Sequence, residues 1–321
     1  MRIKNILISI IMLGLIGYGG LKFYMYYQAK KDIDALLAPA RVVMDVQYDQ
    51  ISSSVFGPVG IKGLRFSFPQ LNETISIGEF KLLSHDNIGK MMNGALPSRL
   101  HFRIEDLQFN FRLLDKIQQK AKLAAQRRGQ PYPHPRDATP EIIRRLGYQD
   151  LYNRSNDWRA LGYGDVSLDF DFDLQFNPDT REARLIMHED MDDAGKFVID
   201  FSLTDLSSNV ASAVLGVKIK EMRVDYTDDG YVERLLKLYA DENNMELEAY
   251  RKLAASKFEQ DIAAKKIKLS ADSVKSIKRF IENPKSIIVT AYPYRPVGVE
   301  SIKHYKPGDV PMLLNLQARV D

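Results

Sequence analysis

Strict alternation of apolar and polar residues runs through much of the chain and predicts β-strands with one apolar face. The clearest run lies at 166–176 and reads VSLDFDFDLQF. Because successive side chains of a strand point to opposite faces, all its apolar residues lie on one side. Turn-forming residues follow at 177–180 and 192–195. We therefore predict an antiparallel meander with strands at 166–176, 183–187 and 197–203.

Four further segments carry a variant of this pattern. They begin at Ile61, Ile77, Ile104 and Ile219, and in each the next apolar residue comes three positions later, after which alternation continues. One extra residue, inserted as a β-bulge, keeps the later apolar residues on the original face. The spacing therefore predicts a bulge in each of these four strands.

Helical spacing of apolar residues interrupts the strands twice. It predicts a helix over 113–128, a short helix after Thr139, and three helices over 231–241, 245–265 and 271–282, the last capped by Ser270. Strands at 287–292 and 313–320 close the chain. The C-terminal helices carry enough apolar residues to cover the sheet, among them Leu235, Leu236, Leu238, Leu253, Phe258, Ile262, Ile277, Phe280 and Ile281.

The N-terminal segment 5–21 is uncharged and mostly apolar. Its 17 residues would rise about 25 Å as a helix, and the interfacial residues that follow complete a bilayer span. The run exceeds the apolar core of a signal peptide, and no clear cleavage site follows, which favours a retained anchor. The expected anchor residues are Ile6, Leu7, Ile10, Leu13, Leu15, Tyr24, Tyr26 and Tyr27.

These elements predict an α+β fold, with an N-terminal transmembrane helix followed by a long, curved antiparallel β-sheet that has helices packed on one face. We divide the chain into a signal anchor at 1–27, a juxtamembrane helix or linker at 28–40, and an α+β domain at 41–321. The domain has helical inserts at about 113–160 and 231–283. Positive charges flank the apolar run almost equally, but a short basic N-terminus favours a cytoplasmic start. We expect a single-pass protein of a bacterial inner membrane with its C-terminal domain in the periplasm.

Composition and motifs exclude several chemistries. The 321 residues include no cysteine, which excludes disulfides and thiolate sites, and the formal net charge of +3 gives no reason to expect nucleic acid. Nucleophile-elbow and phosphate-binding glycine motifs are absent from the sequence. We predict no cofactor, no resident metal and no enzymatic activity.

Two acidic groups come closest to a chemical site. The cluster at 188–193, HEDMDD, has no second histidine at ligand spacing and no calcium-loop pattern, and so a solvated turn is favoured over a cation site. Asp169, Asp171 and Asp173 share one face of a strand and could perform acid–base chemistry. A charged, wet sheet face that prevents aggregation is the favoured interpretation of this row.

The strands that begin at Ile61, Ile77 and Ile104, behind an N-terminal apolar run, resemble the opening strands of AsmA-like envelope proteins and related single-pass periplasmic proteins of unknown function. The junction at 224–236 and the segment at 280–286 are similar to uncharacterised proteins of that kind. The resemblance extends over about a third of the chain. It implies an inner-membrane protein and, for larger relatives, lipid traffic or envelope homeostasis through a groove of curved sheet. It supplies no catalytic residues.

Three functions remain open at this point. The first is a noncatalytic, membrane-anchored envelope protein that binds lipid or another apolar ligand on the sheet. The second is a structural or scaffold subunit of an envelope secretion or assembly machine, and the third is a hydrolase of envelope polymers, which would need a cleft of perturbed carboxylates. Expected partners are the phospholipid bilayer and either a lipid ligand or envelope proteins. The candidate ligand-binding residues are Phe66, Phe68, Phe109, Phe111, Phe170, Phe172 and Phe176.

Overall fold

One large antiparallel sheet dominates the computed structural model, which describes residues 26–52 (without 28, 29, 32, 35, 36, 39 and 43), 59–85, 95–129, 155–209 and 216–320. Twelve strands of these ranges join in a single sheet. They are β1 (Asp45–Gln47), β2 (Gln50–Ser52), β3 (Val59–Phe68), β4 (Glu73–His85), β5 (Arg99–Asn110), β6 (Asp165–Asn177), β7 (Glu182–Met191), β8 (Gly195–Thr204), β9 (Lys218–Asp228), β10 (Ser286–Ala291), β11 (Val297–Gly298) and β12 (Leu316–Arg319).

The sheet is a meander, because strands from β3 to β10 pair with their neighbours in sequence. β1 and β2 both pair with β3, β11 pairs with β9, and β12 pairs with β10. Short turns close the β3–β4, β6–β7 and β7–β8 hairpins. At the β6–β7 turn the Asn177 side chain accepts backbone N–H groups of Asp179 and Thr180, which is the local bonding that favours asparagine there. The predicted meander from 166 to 203 is confirmed.

The strand register keeps apolar residues together on one face. Phe102, Phe172, Met187, Ile199 and Val224 are successive cross-strand neighbours from β5 to β9. Directly opposite residues of an antiparallel pair lie on the same side of a sheet. The alternation seen in one strand therefore becomes an apolar face that continues across the whole meander.

The predicted bulge is confirmed in β5 and β9, where the pairing register shifts by one residue. It is not confirmed in β3 and β4, where Gly63 and Gly78 lie opposite each other and the register is unchanged. The pairing skips Gly63, Gly78, Asp106 and Lys220, each within the apolar–two–apolar pattern. Asp106 and Gly63 adopt left-handed backbone with φ of 55° and 61°. Gly78 lies opposite Asp106, and a Cβ atom at Gly78 would come within 2.9 Å of the Asp106 Cβ. Glycine is therefore required where two irregular strands approach each other.

Replacing Gly78 with alanine should destabilise the fold by about 1–3 kcal/mol, because the added methyl group overpacks a backbone-to-backbone approach. Gly164→Ala is the matched control, since a Cβ atom there would meet nothing within 4 Å. Urea unfolding of both variants measures the difference. Equal midpoints for the two alanine variants would contradict this account.

Four of the five predicted helices are present among the described residues, whereas the short helix predicted after Thr139 lies outside them. Seven helices have their bounds within the described residues. They are α1 (Phe111–Arg127), α2 (Ser155–Ala160), α3 (Tyr231–Glu242), α4 (Leu247–Ala264), α5 (Ala271–Glu282), α6 (Val299–Ile302) and α7 (Val310–Leu313), with a 3₁₀ turn at Pro307–Asp309. The Ser270 side chain caps α5 as predicted, by accepting the N–H of Ser273 at 3.1 Å. The last strand begins at Leu316 rather than 313, because residues 310–313 form α7.

One contact fixes α5 against the last strand. The buried Ser273 Oγ accepts the backbone N–H of Ala318 in β12 at 3.0 Å. Its hydroxyl also lies 2.8 Å from the Ser270 Oγ, so that the helix cap and the strand share one short chain of hydrogen bonds.

The predicted transmembrane helix is not supported, and this corrects the predicted fold class. In the described part of the chain, no helix has both the length and the apolar character that a bilayer span requires. The longest described helix, α4, has 18 residues but six of them are charged, whereas a span needs about 20 mostly apolar residues. Of the predicted anchor, Tyr26 and Tyr27 are helical and exposed. The remaining anchor residues, Ile6, Leu7, Ile10, Leu13, Leu15 and Tyr24, lie outside the described residues.

The expectation that helices pack across the sheet also needs correction. Helices α3 and α5 contact β9, β10 and β12, and α1 contacts the end of β5, whereas α4 packs mainly on α3 and α5. Phe280 of α5 does reach the apolar face, where its ring meets that of Tyr226. Leu253, which was expected to face the sheet, is 46% exposed. The helices therefore cover the margins of the apolar face.

Buried apolar residues form four separate clusters around these margins. One lies at β3 and β4, a second where α1, α2 and α3 meet the ends of β5 and β6, a third around α6 and α7, and a fourth at the opposite ends of β6 and β7. Representative buried residues are Leu64, Phe111, Ala291 and Phe176. The middle of the apolar face belongs to none of the four clusters.

Candidate functional site

The middle of the apolar face is the candidate site, and we call it the central apolar strip. Its members share three properties: they lie on β5 to β9, they are partly buried, and they belong to none of the four core clusters. They are Phe102, Phe170, Phe172, Leu185, Met187, Ile199, Phe201 and Val224. The strip follows directly from the alternation, because each of the five strands contributes its apolar positions to it.

Three phenylalanine rings form the densest part of the strip. The ring of Phe102 stacks on that of Phe172 with centroids 5.0 Å apart, and Phe170 lies 5.9 Å from Phe102. Phe80 of β4 continues the row at 5.9 Å from Phe102. These distances lie in the usual range for aromatic pairs. The rings therefore hold one another in place across β4, β5 and β6.

The opposite face of the same strands is charged and internally paired. Arg103 donates to Asp171 at 2.7 Å, and Arg184 forms a two-bond pair with Asp200. On β9, Arg223 pairs with Asp225. A sheet face that carries many such ion pairs is typical of a surface in contact with water. The two faces of the sheet therefore differ sharply in what they can bind.

The row of Asp169, Asp171 and Asp173 belongs to this charged face. Asp169 accepts the backbone N–H of Asp106 at 2.7 Å, and Asp171 accepts from both His101 and Arg103. Asp173 accepts from Gln175 through one oxygen. Each carboxylate therefore accepts at least one hydrogen bond within the sheet, and the interpretation of the row as a face that prevents aggregation stays a prediction.

The acidic cluster at 188–193 is divided between two faces. The structure extends β7 to Met191, four residues beyond the predicted strand, and only 192–194 form the turn. His188 and Asp190 lie on the charged face, opposite Val198 and Lys196. In the described part of the chain, no three histidine, aspartate or glutamate side chains are grouped so that they could hold a metal ion.

The same extension places Glu189 on the apolar face. It lies directly between Phe170 of β6 and Phe197 of β8, where every other strand of the row supplies an apolar or aromatic residue. The signal was present in the sequence, because the series Ala183, Leu185, Met187, Glu189 and Met191 alternates with an acid at an apolar position. Sequence reasoning missed it because the strand was ended four residues too early, at Met187.

Burial raises the pKa of the Glu189 carboxyl, and no hydrogen bond or ion pair within the described residues offsets that cost. An acid that is desolvated without a charged partner resists ionisation. Glu189 therefore lowers the stability of the folded chain at neutral pH unless something binds to it.

Glu189→Gln should accordingly raise the free energy of unfolding at pH 7 by up to about 1 kcal/mol. The sign of this change follows from the raised pKa of Glu189. Below the ordinary pKa of glutamate, the carboxyl is protonated in both the folded and the unfolded state, and the variant is no more stable than the wild type. As the pH rises through the folded-state pKa, the wild type alone loses stability. Urea unfolding across this pH range measures the effect, and Asp192→Asn, an exposed change in the adjoining turn, should show none of it.

The seven predicted ligand-binding phenylalanines lie in different surroundings. Phe170 and Phe172 belong to the central apolar strip. Phe111 and Phe176 are each only 4% exposed within core clusters, and Phe109 packs against the cluster of Phe111. Phe66 packs against the β3–β4 cluster, and Phe68 is partly buried near the end of β3. The strip residues that the prediction did not name are Phe102, Leu185, Met187, Ile199, Phe201 and Val224.

Comparison with known proteins gives one match. A family model described as an uncharacterized protein matches residues 162–321. No curated protein and no solved structure matches the chain. The matched range contains β6 to β12, and thus every member of the central apolar strip except Phe102. The resemblance to AsmA-like proteins, and the inner-membrane location that it implies, stay predictions.

Proposed function

We propose that this protein binds the hydrocarbon chain of a lipid, or another elongated apolar molecule, on the central apolar strip, and that it does so without catalysis. The observation that carries the proposal is the position of eight partly buried apolar side chains in the centre of the sheet, away from all four core clusters. An apolar patch of this kind on a folded protein usually marks a binding surface.

The dimensions of the strip support an elongated ligand. The row from Phe102 to Val224 crosses five strands, and a spacing of about 4.8 Å between strands gives it a length of about 19 Å. Leu185 and Phe201, which pair with each other, widen it on one side, and Phe170 widens it on the other. A hydrocarbon chain laid across the strands would contact apolar atoms along this whole length, and its transfer from water would drive binding.

The chemistry of the strip also supports a ligand that is held by the burial of apolar surface and not by hydrogen bonds. Its members offer no side-chain hydrogen-bond donor or acceptor other than the weakly accepting sulfur of Met187. Most charged groups of β5 to β9 lie on the other face, in ion pairs such as Arg184–Asp200. Binding of this type tolerates a range of chain lengths.

A photoreactive dodecyl alcohol, with a diazirine in its chain, tests the proposal on the full-length protein. Mass spectrometry of the labelled peptides should place most of the label on β5 to β9 at strip positions. Ile199→Asp should reduce this labelling at least tenfold, because a charge in the strip opposes the approach of a hydrocarbon chain.

The matched control is Val198→Asp on the same strand. Val198 pairs with His188 and Asp225 on the charged face, so the same charge is added on the other side of the sheet. Labelling of the strip should persist in this variant. Equal labelling of both faces in the wild type, or equal loss in both variants, would refute the proposal. A protein crosslinked to the strip in cells, without bound lipid, would favour the scaffold alternative instead.

A further inference from the structure

Glu189 is the one charged side chain on the apolar face of β5 to β9 that lies away from the strand ends. Asp228, the other acid on that face, ends β9 and is occupied by hydrogen bonds from Tyr226, Gly230 and Val232. Glu189 has no such partner in the described chain. A carboxyl that is half-removed from water and unpaired destabilises a fold, and such groups recur at functional sites.

Aromatic rings flank this carboxyl across the sheet. Phe170 and Phe197 are its direct neighbours on β6 and β8. The ring of Phe197 stacks on that of Tyr226 with centroids 4.4 Å apart, so an aromatic wall continues into β9. Phe197 is 38% exposed, which leaves part of this wall open to a ligand. A carboxylate between aromatic rings is the combination that recognises an ammonium group, by charge and by cation–π attraction.

The charges around Glu189 also select against an anion. Between β5 and β9 no lysine or arginine lies at an apolar-face position of the described strands. The nearest basic residue in the hairpin, Lys196, lies on the charged face and pairs with Asp190 at 2.5 Å. A carboxylate or phosphate headgroup would thus meet a like charge at Glu189 and no compensating cation.

We propose that Glu189 receives the ammonium group of an amphiphile whose hydrocarbon chain lies on the central apolar strip. The inference rests on the proposed function, since the strip must bind the chain for the carboxyl to meet the headgroup. Glu189 lies one row from Phe172 and Met187, so that a headgroup at the carboxyl leaves the chain free to run across the strip. The site would therefore distinguish amphiphiles by the charge of their headgroups.

Three photoreactive dodecyl probes that differ only in headgroup test this inference on the full-length protein. One carries trimethylammonium, one carboxylate and one hydroxyl, and each is used below the concentration at which it forms micelles. The wild type should reach half-maximal labelling of the strip at about a tenfold lower concentration of the ammonium probe than of the alcohol. The carboxylate probe should be the weakest of the three, because like charges repel in a partly dry site.

Glu189→Gln should abolish the preference for ammonium and leave labelling by the alcohol within about twofold of the wild type. Asp190→Asn is the matched control, because it removes the same charge one residue away on the opposite face and should keep the preference. If Glu189→Gln keeps the preference, or if the wild type has none while the alcohol still labels the strip, this inference is wrong and the proposed function stands. If none of the probes labels the strip, both fail.

Discussion

Phe111→Ala should lower the free energy of unfolding by about 3–5 kcal/mol, the range found for phenylalanine truncation in well-packed cores. Phe111 is the first residue of α1 and only 4% exposed, and its ring stacks on that of Trp158 with centroids 5.2 Å apart. The ring of Phe109 contacts the Phe111 ring edge-on, with centroids 5.5 Å apart. Removal of the ring would leave a cavity where α1, α2 and β6 meet.

The same substitution in the central apolar strip should cost much less. Phe172→Ala removes a ring that is only partly buried, and so we expect a loss of about 1–2 kcal/mol. Urea unfolding followed by circular dichroism measures both variants, since Trp158, the single tryptophan, touches Phe111 and would bias a fluorescence signal. Equal losses would mean that the strip is packed like the core, which would count against an open binding surface.

Asp228→Ala should destabilise the fold by about 2–3 kcal/mol, because one carboxylate serves three donors at the start of α3. It accepts the Val232 N–H at 2.8 Å, the Gly230 N–H at 3.2 Å and the Tyr226 hydroxyl at 2.5 Å. Burial, and secondly the bond to Asp228, raise the pKa of the Tyr226 hydroxyl. The variant therefore loses a helix cap and also deprives a buried hydroxyl of its main partner.

The neighbouring Asp229→Ala provides the control for this effect. Asp229 is exposed, and its structural contact is a backbone bond from its N–H to the carbonyl of Ala194, which alanine retains. Its unfolding midpoint should stay close to that of the wild type. A double-mutant cycle with Tyr226→Phe separates the contribution of the helix cap from that of the hydroxyl bond. Because Asp228 and Tyr226 share this bond, the losses in unfolding free energy of the two single variants should not add in the double variant. Additive losses would show that the short contact contributes nothing to stability.

Local patterns predicted the strands and helices because each depends on residues close in sequence. The alternation at 166–176 gave β6 to within a residue at either end, and Ser270 marked the start of α5. The bulges of β5 and β9 were predictable too, since an extra residue shifts the side-chain period in a recognisable way. The apolar face of the meander was predictable for the same reason. The spacing that predicted bulges in β3 and β4 comes instead from two glycines that lie opposite each other without a shift of register.

The arrangement of the elements could not be obtained in this way. The apolar residues of α4 are spread around the helix and do not say which surface it meets, and it packs on α3 and α5 instead of covering β6 to β8. The transmembrane assignment rested on the composition of 5–21, which lies outside the described residues. Glu189 was missed because the predicted strand ended four residues too early, although an acid among apolar positions is visible in the sequence.

The bond between Ser273 and Ala318 has a consequence for how far the sheet can extend. β12 is the outermost strand on its side, and an outermost strand normally presents free N–H groups to which another chain can add. At Ala318 that donor is already taken by a helix of the same molecule. A foreign strand would have to displace α5 before it could pair there, so the protein is guarded against joining edge to edge with its own copies at this border.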